Sequence, residues 1–480
     1  MNTQNTICAI STPSGAGGIA VIRVSGHDAF SIVDKIYRPA KNDVSLGNQL
    51  PYTLSFGKIV HSLSQGIAGQ ARNDNKIEEV LDEVLVAVFR APNSFTGEDT
   101  VEISCHGSVF IQQEILKLLL ANGCTLAHAG EFTQRAFLNG KMDLSQAEAV
   151  ADVIASSSAA SHRLAMNQMR GGFSKELFVL RSQLLDFVSL IELELDFSEE
   201  DVEFADRIRL LELADTIKLT LTKLVNSFSL GNVLKNGIPV VIVGETNVGK
   251  STLLNYLLHE EKAIVSDVHG TTRDVIEDVV NVQGISFRFI DTAGIRDTTD
   301  AIESLGIKRT FQKIDQASIV IWMVDATQFN KEIDKLADKI VPRTADKKLL
   351  LVINKIDKLS KEEQRILEQQ FLPQIKAEHI YLSAKYQQNT EKLESALLKS
   401  ADLTGFDKQD VIVSNVRHYE ALSKALESIQ RVEDGLKSNL SGDFISQDIR
   451  ECMHYLGEIT GEISTDEVLG NIFSRFCVGK

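Results

Sequence analysis

The sequence has no cysteine pair of the Cys-x-x-Cys type, and its cysteines show no zinc-ligand spacing. These absences argue against a zinc site and favour free thiols in a reducing compartment, each expected to be a small buried residue. No uninterrupted apolar stretch is long enough to span a bilayer, and the first residues lack a basic run followed by an apolar core. We therefore expect a cytoplasmic protein with no membrane association. The cysteines are Cys8, Cys105, Cys124, Cys452 and Cys477.

The chain also has no excess of positively charged residues. The 50 lysines and arginines stand against 66 aspartates and glutamates, a formal net charge of -16. Binding of nucleic acid by counterion release needs a basic surface, so any RNA contact must be local or shared with a partner. The 480 residues, of which 43% are hydrophobic, predict roughly three packed domains.

The most informative segment is an apolar strand, residues 240–243 (VVIV), that runs into the glycine-rich loop 244–251 (GETNVGKS). In such a loop the glycines let backbone N–H groups turn toward a nucleotide phosphate. Lys250 can reach the terminal phosphates, and the Ser251 hydroxyl can hold Mg²⁺. The helix that follows adds its N-terminal dipole. The segment predicts a nucleoside triphosphate site with contacts from Asn247, Val248, Gly249, Lys250, Ser251 and Thr252.

Two further motifs, each at the end of an apolar strand, indicate guanine as the base. In the motif 354–357 (NKID), the Asp357 carboxylate can accept hydrogen bonds from the N1–H and N2–H₂ groups of guanine. Adenine has an acceptor at N1 and would leave that carboxylate repelled and unpaired. The motif 383–385 (SAK) places backbone amides near guanine O6. The predicted base contacts are Asn354, Lys355, Asp357, Ser383 and Ala384.

Between these motifs and the glycine-rich loop lie two segments expected to sense the γ-phosphate. In the motif 291–294 (DTAG), Asp291 would bind in the Mg²⁺ shell. In the segment 270–274 (GTTRD), Thr272 would complete that shell, although by itself this segment is equally well explained as a plain turn. We assign nucleotide contacts to Ser266, Asp267, Val268, His269, Gly270, Thr271, Thr272, Asp291, Thr292, Ala293 and Gly294.

Position 295 is isoleucine, whereas many GTPases have there a glutamine that orients the attacking water. Another group must then position the water. The polar, acidic segment 296–303 can supply a carboxylate after a loop rearrangement, and the alternative is that it is a solvated loop.

The hydrophobic periodicity divides the chain into four segments. Residues 1–139 alternate β-like runs with turns and a helix, residues 140–236 and 403–480 have helical spacing, and residues 237–402 hold the nucleotide motifs. Both helical segments have an apolar stripe that needs a partner, so we expect them to pack together. The predicted fold class is multidomain α/β and α+β: an N-terminal α+β domain, a helical domain built from two segments, and an inserted Ras-like P-loop GTPase domain.

Segments outside the nucleotide motifs carry a family resemblance: 18–26 (GIAVIRVSG), 94–99 (SFTGED), 130–132 (GEF), 135–141 (RAFLNGK) and the ending 476–480 (FCVGK). With them, nearly the whole chain resembles the MnmE (TrmE) family of tRNA modification GTPases. The resemblance implies that the N-terminal domain forms a homodimer and binds 5-formyl- or 5,10-methylene-tetrahydrofolate. A carboxylate suits the donor edge of a pterin, and basic groups suit its glutamate tail. The implied folate contacts are Arg23, Glu102, Lys141 and Lys480.

The resemblance also implies activation by K⁺ and transient pairing of two GTPase domains. Asn247 would be the side-chain ligand for K⁺, and the nearby loop would supply Ser266, Val268 and Thr271. The cation would act where an arginine finger otherwise does. The implied catalytic residues are Glu303, which matches the water-orienting glutamate of the family, with Lys250 and Asp291. Catalysis has been considered for the position of Cys477, but we expect a buried thiol because no group that would lower its pKa can be assigned nearby.

The implied function is a K⁺-dependent dimeric GTPase that modifies C5 of the wobble uridine in tRNA. It would use a tetrahydrofolate one-carbon unit to form aminomethyl or carboxymethylaminomethyl groups, in a heterotetramer with MnmG (GidA), which alone would carry FAD. The alternative is an Era-like switch that binds RNA or ribosomes without modification chemistry, or a stand-alone folate aminomethyltransferase with a regulatory GTPase. Folate binding by residues 1–139 would argue against the switch.

Overall fold

The computed structural model describes residues 5–40, 44–63, 77–196, 207–261, 278–290, 311–328, 331–370, 377–401, 411–474 and 476–479. The chain forms two compact units. The first consists of Met1–Ile154, Gln168–Leu185 and Arg450–Lys480, and the second of Ala155–Asn167 and Asp186–Ile449. The four-segment division read from the sequence stays a prediction.

The first unit contains a seven-stranded sheet with the order β3-β4-β5-β6-β2-β1-β7. Its strands are β1 (Ile7–Ile10), β2 (Ile19–Ser25), β3 (Tyr37–Pro39), β4 (Thr53–Leu63), β5 (Ile77–Phe89), β6 (Thr100–His106) and β7 (Thr125–Leu126). The β1–β7 pair is parallel, and the pairs among the other strands are antiparallel. Side chains of a strand alternate between faces, so Ile22 and Val24 enter the core while Arg23 lies on the opposite face.

Helices complete the first unit. They are α1 (Ala29–Ile36), α2 (Val109–Ala121), α3 (Glu131–Leu138), α4 (Leu144–Ala155) and α14 (Asp466–Phe473), with parts of α6 (Gly172–Asp196) and α13 (Gly442–Thr460). Residues of α1 and α2 bury apolar side chains in the same core as the sheet. Leu144 and Ala147 form a separate cluster with Leu469, Phe473 and Phe476, which joins α4 to the last described segment of the chain.

The second unit contains a six-stranded sheet with the order β13-β12-β11-β8-β10-β9. Its strands are β8 (Ile238–Val243), β9 (Asp278–Val282), β10 (Ile285–Phe289), β11 (Ile319–Asp325), β12 (Lys348–Asn354) and β13 (Glu378–Tyr381). Only the β9–β10 pair among these is antiparallel. Parallel strands are covered on both faces, which explains why every residue of β11 is buried. Two core clusters lie on the two faces.

Further helices belong to the second unit: α5 (Ala159–Met169, which ends in the first unit), α7 (Arg207–Asn236), α8 (Lys250–Glu261), α9 (Lys331–Ile340), α10 (Lys361–Gln370), α11 (Thr390–Ser400) and α12 (Val416–Lys437). Of these, α7 and α12 come from the two helical segments that were expected to pack together. Lys218 of α7 donates to Glu433 of α12 over 2.7 Å. The rings of Phe228 and Tyr419 stack with centroids 4.4 Å apart. The packing of the two helical segments is thus confirmed. Among the helices that the structure describes, none is long and apolar enough to cross a membrane.

A glycine within α7 allows a close backbone contact. A β-carbon at Gly231 would overlap the carbonyl oxygen of Val413, which belongs to the backbone leading into α12. We expect Gly231→Ala to destabilise the second unit by about 2 kcal/mol, because backbone must move to accept the methyl group. In thermal melting by circular dichroism this corresponds to a fall of several degrees, on the order of 5 °C.

The matched control is Gly470→Ala in α14, where a β-carbon would meet nothing within 4 Å. Alanine suits a helix interior better than glycine, so this variant is expected to gain about 0.5–1 kcal/mol. Equal melting temperatures for Gly231→Ala and the wild-type protein would show that the Val413 backbone yields without cost.

Candidate functional site

The nucleotide motifs meet at one edge of the six-stranded sheet. Strand β8 pairs with both β10 and β11 in parallel, and β11 pairs with β12. The carboxyl ends of these strands therefore lie at the same edge. Strand β8 lies between β10 and β11, so the chain continues from β8 to one side of the sheet and later crosses to the other side. In α/β sheets, nucleotides bind in the crevice that forms where the strand order reverses in this way.

The two glycines of the loop after β8 are fixed by close contacts and by backbone conformation. Gly244 and Gly249 have φ angles of +152° and +106°. A β-carbon at Gly244 would overlap the carbonyl oxygen of Met323, and one at Gly249 would overlap the side-chain amide of Asn354. Side chains are therefore excluded at both positions, which lets the loop fold tightly against the strand ends.

Lys250 begins helix α8 with its side chain folded back over the loop. Its Nζ donates to the carbonyl oxygens of Gly244 and Glu245 over 2.7 and 2.6 Å. Burial lowers the pKa of Lys250, and the negative charge of Glu245 opposes that shift. Next along the helix, Ser251 is half-buried and Thr252 is exposed. Lys250 thus sits at the helix start, where the sequence predicts contact with phosphates.

Asn354 connects three of the predicted nucleotide segments. Its Nδ2 donates to the carbonyl oxygen of Val248 over 2.7 Å, and its Oδ1 accepts from the backbone N–H of Ala384 over 2.9 Å. The side chain is buried, with 3% of the residue exposed. Asn354 therefore connects the glycine-rich loop 244–251, called the phosphate loop below, to the loop after β13.

Lys355 and Asp357 complete the base-recognition motif. The Nζ of Lys355 donates to the carbonyl oxygen of Asn247 over 2.7 Å and to Oδ2 of Asp325 over 2.6 Å. The hydroxyl of Ser383 donates to Oδ1 of Asp357 over 2.5 Å. The structure thus brings Asn247, Val248, Lys355, Asp357 and Ser383 together, as expected for a guanine nucleotide site.

Sequence reasoning missed Asp325, the last residue of β11. A charged residue that ends an apolar strand next to the phosphate strand is the signal that identifies it, because only the carboxyl end of such a strand faces the nucleotide crevice.

Several predicted site residues lie outside the part of the chain that the structure describes. They are Ser266, Asp267, Val268, His269, Gly270, Thr271, Thr272, Asp291, Thr292, Ala293, Gly294, Glu303 and Lys480. Their assigned roles stay predictions. Among the described residues there is no cluster of three acidic, histidine or cysteine side chains for a metal ion.

The first unit has its own group of functional candidates on the sheet. Arg23 of β2 and Glu102 of β6 are paired in the strand register, and their side chains form an ion pair of 2.7 Å. The Arg23 guanidinium stands 5.5 and 5.6 Å from the ring centroids of Phe95 and Phe132. Of the two rings, Phe132 is fully buried, whereas Phe95 is 36% exposed, so the Phe95 ring is the one that a flat ligand ring with polar edges, such as a pterin, can contact beside this half-buried charged pair. Sequence reasoning missed both aromatic rings.

The segment that carries Phe95 is held by two residues of the RAFLNGK motif. Lys141 Nζ donates to the carbonyl oxygen of Pro92 over 2.8 Å, and the Asn139 side chain donates to that of Thr96 over 2.8 Å. Lys141 is exposed and Arg23 is half-buried, and both contact the same short segment. The structure therefore brings these predicted folate residues to one place.

The last described residues of the chain dock beside β1. Ser11 donates to the carbonyl oxygen of Gly479 over 3.1 Å, and Ala129 pairs with Val478. The Phe476 side chain is buried, whereas the Cys477 side chain is exposed. The expectation of a buried Cys477 was wrong, because the tail is held by its backbone and by Phe476. The other four cysteines are buried as expected.

Comparison with known proteins covers the whole chain. The family model for the N-terminus of the GTP-binding protein TrmE matches residues 6–141, and the model for the MnmE helical domain matches residues 144–477. The chain is 59% identical over 480 residues to the tRNA modification GTPase MnmE of Bacteroides thetaiotaomicron, an alignment that covers 99% of this chain and 100% of that protein. It is 54% identical over 483 residues to the same protein of Flavobacterium johnsoniae, with 100% of both chains covered.

The chain is similar to Era of Aquifex aeolicus, with 28% identity, 40% of this chain and 66% of that chain covered, and a TM-score of 0.28. The full-length relatives and the two family models identify the family. The chain belongs to the MnmE (TrmE) family of tRNA modification GTPases.

Proposed function

We propose that this GTPase is activated by K⁺, works as a homodimer in the cytoplasm, and modifies C5 of the wobble uridine in tRNA. It would use the one-carbon unit of 5-formyl- or 5,10-methylene-tetrahydrofolate to form aminomethyl or carboxymethylaminomethyl groups. Its partner would be the FAD-containing protein MnmG (GidA), in a heterotetramer. The observation that carries the proposal is the presence in one chain of a nucleotide crevice and of the aromatic, charged site around Arg23 and Glu102.

The nucleotide site supports binding of GTP and GDP with Mg²⁺. Lys250 supplies a positive charge at the start of α8, and Ser251 supplies a hydroxyl oxygen in the same helical turn. Both groups suit the terminal phosphates and the hard cation that accompanies them. Thr272 and Asp291 would complete the metal shell, and Glu303 would orient the attacking water.

A monovalent cation would be held beside the phosphate loop at Asn247. This residue has a φ angle of +62°, and its carbonyl oxygen accepts a hydrogen bond from the Lys355 ammonium group. Its side-chain amide oxygen is a neutral ligand that suits a cation, and in the family this position holds K⁺. Ser266, Val268 and Thr271 would supply the other ligands. An added positive charge next to the phosphates stabilises the charge that develops during phosphoryl transfer.

The site on the first unit supports folate binding. Glu102 can accept hydrogen bonds from the donor edge of a pterin, and the partly exposed ring of Phe95 offers an apolar face nearby. Lys141 and Lys480 would suit the glutamate tail. GTP hydrolysis would not itself form bonds to carbon; it would drive domain motion.

The test is GTP turnover by the purified protein in KCl and in NaCl at equal ionic strength, with Asn247→Ala alongside. We expect turnover to be at least about tenfold faster in KCl, and Asn247→Ala to lose that stimulation while it still binds GDP. Asn236→Ala, at the exposed end of α7, is the matched control and should respond as the wild-type protein does. Equal turnover in both salts would contradict the cation-dependent mechanism and favour an Era-like switch.

A further inference from the structure

The buried carboxylate of Asp325 lies behind the nucleotide crevice. Its Oδ1 accepts from the backbone N–H and the hydroxyl of Thr327 over 2.9 and 2.7 Å, and its Oδ2 accepts from Lys355 Nζ over 2.6 Å. Only 5% of the residue is exposed. Burial opposes ionisation, but the hydrogen bonds from Lys355 and Thr327 together hold the pKa of Asp325 below its ordinary value. Asp325 is therefore charged at neutral pH.

Asp325 reaches the phosphate loop through one residue. The ammonium group of Lys355 bonds at the same time to Asp325 and to the carbonyl oxygen of Asn247, over 2.6 and 2.7 Å. A lysine side chain has four rotatable bonds, so a single contact with Asn247 would leave it many orientations. The fixed carboxylate at its other side restricts those orientations and directs the ammonium group to the loop.

A neighbouring side chain contacts the same loop without a charge. Asn354 holds the next loop carbonyl, that of Val248, and its own oxygen is satisfied by the backbone N–H of Ala384. That contact carries no charge. Lys355 instead brings a positive charge to the base of the loop, and Asp325 is the acidic partner that balances it.

We propose that Asp325 is a positioning residue, which holds Lys355 against the Asn247 carbonyl and thereby sets the geometry of the phosphate loop for guanine nucleotide and for the activating cation. The effect on guanine nucleotide follows from the contacts of Lys355 with Asp325 and Asn247. The effect on the activating cation rests on the proposed function, in which Asn247 binds K⁺. Without the Asp325 charge, Lys355 loses its fixed orientation, and Asn247 loses the contact that restrains it.

The test uses Asp325→Asn, which keeps the shape of the side chain and an oxygen for Thr327 but removes the charge. Equilibrium binding of a fluorescent N-methylanthraniloyl GDP should weaken about tenfold, the effect of losing a hydrogen bond to a charged group. The K⁺ concentration for half-maximal GTP turnover should rise severalfold, with ionic strength held by tetramethylammonium chloride. The control is Asp315→Asn, an exposed partner of Arg343 in the same unit, which should change neither value.

A double-mutant cycle separates positioning from simple stabilisation. If Asp325 acts through Lys355, the double variant with Lys355→Gln should bind the GDP analogue within about a factor of two of Lys355→Gln alone. If Asp325 only stabilised the fold, the melting temperature would fall, and the losses of GDP affinity caused by Asp325→Asn and Lys355→Gln would add in the double variant. That result would overturn the proposal. So would unchanged GDP affinity in Asp325→Asn.

Thr327→Val is a second variant should Asp325→Asn fail to fold. It removes one hydrogen bond to Oδ1 and keeps the carboxylate, so GDP affinity should fall by roughly threefold. Unchanged affinity there would also overturn the proposal. If the wild-type protein shows no response to K⁺, the proposed cation mechanism fails, while the measured GDP affinities still decide the role of Asp325.

Discussion

Asp357→Asn is expected to weaken GTP binding by roughly a thousandfold or more, since a site built to pair with a hydrogen-bond donor rejects a base that cannot pair. The carboxylate of Asp357 can accept from both N1–H and N2–H₂ of guanine. An asparagine presents one acceptor and one donor, so its amide faces the guanine amino group as a second donor. Ser383 donates to Oδ1 of Asp357 over 2.5 Å, and the amide oxygen of asparagine can still accept that bond.

The same substitution should create a preference for xanthine. Xanthine keeps the N1–H donor and has a carbonyl oxygen in place of the amino group, which matches an amide side chain. The measurement is the dissociation constant for GDP and for xanthosine diphosphate, together with turnover of both triphosphates. Glu378→Gln, an exposed partner of Lys399 in the same unit, should leave guanine preference unchanged. Loss of both nucleotides in Asp357→Asn would mean that this side chain supports the loop and does not read the base.

Substitution at the Arg23–Glu102 pair is expected to weaken folate binding strongly and to leave GTP binding unchanged. Each side chain is held by the other over 2.7 Å, and less than a third of either is exposed. Removal of one partner leaves the other charge partly buried and unpaired, and it removes a group that would contact the ligand. We expect Arg23→Ala and Glu102→Gln each to weaken 5-formyltetrahydrofolate binding about a hundredfold, measured by titration calorimetry.

Arg38 and Glu78 provide a control pair in the same sheet. They form an exposed ion pair between β3 and the start of β5. Arg38→Ala and Glu78→Gln should bind the folate as the wild-type protein does, and melting temperatures should show that all four variants are folded. If the wild-type protein binds no tetrahydrofolate, the folate part of the proposed function is wrong. If it binds and the Arg23 variant does also, the ligand lies elsewhere on the first unit.

The motifs of the nucleotide site could be identified from the sequence because their chemistry is local. A phosphate loop needs glycines, a lysine and a hydroxyl residue at fixed spacing, and the base motif needs a carboxylate after a strand. The contacts of Asn354 and Lys355 were not predictable in this way. They depend on β12 lying beside β11, and β11 beside β8, a strand order that the spacing of motifs does not encode.

The surroundings of the candidate folate residues and of the last residues of the chain could not be predicted from sequence spacing either. Arg23 and Glu102 are 79 residues apart, and their pairing follows from the register between β2 and β6. A positive charge within an apolar run gives no sign of its partner, so by periodicity alone Arg23 would be placed on an open surface. Cys477 was expected to be buried because thiols usually are, yet the ending is anchored by Phe476 and by backbone contacts.

The sequence by itself determined the domain types, the helical and strand segments, the guanine nucleotide and the family. Those properties follow from short-range spacing, where backbone geometry fixes which side chains share a face or a loop. The tertiary structure decided which distant charges meet: Asp325 with Lys355, and Arg23 with Glu102. The physical reason is that burial makes a charge costly without a partner, and only strand order and register determine which partner is within reach.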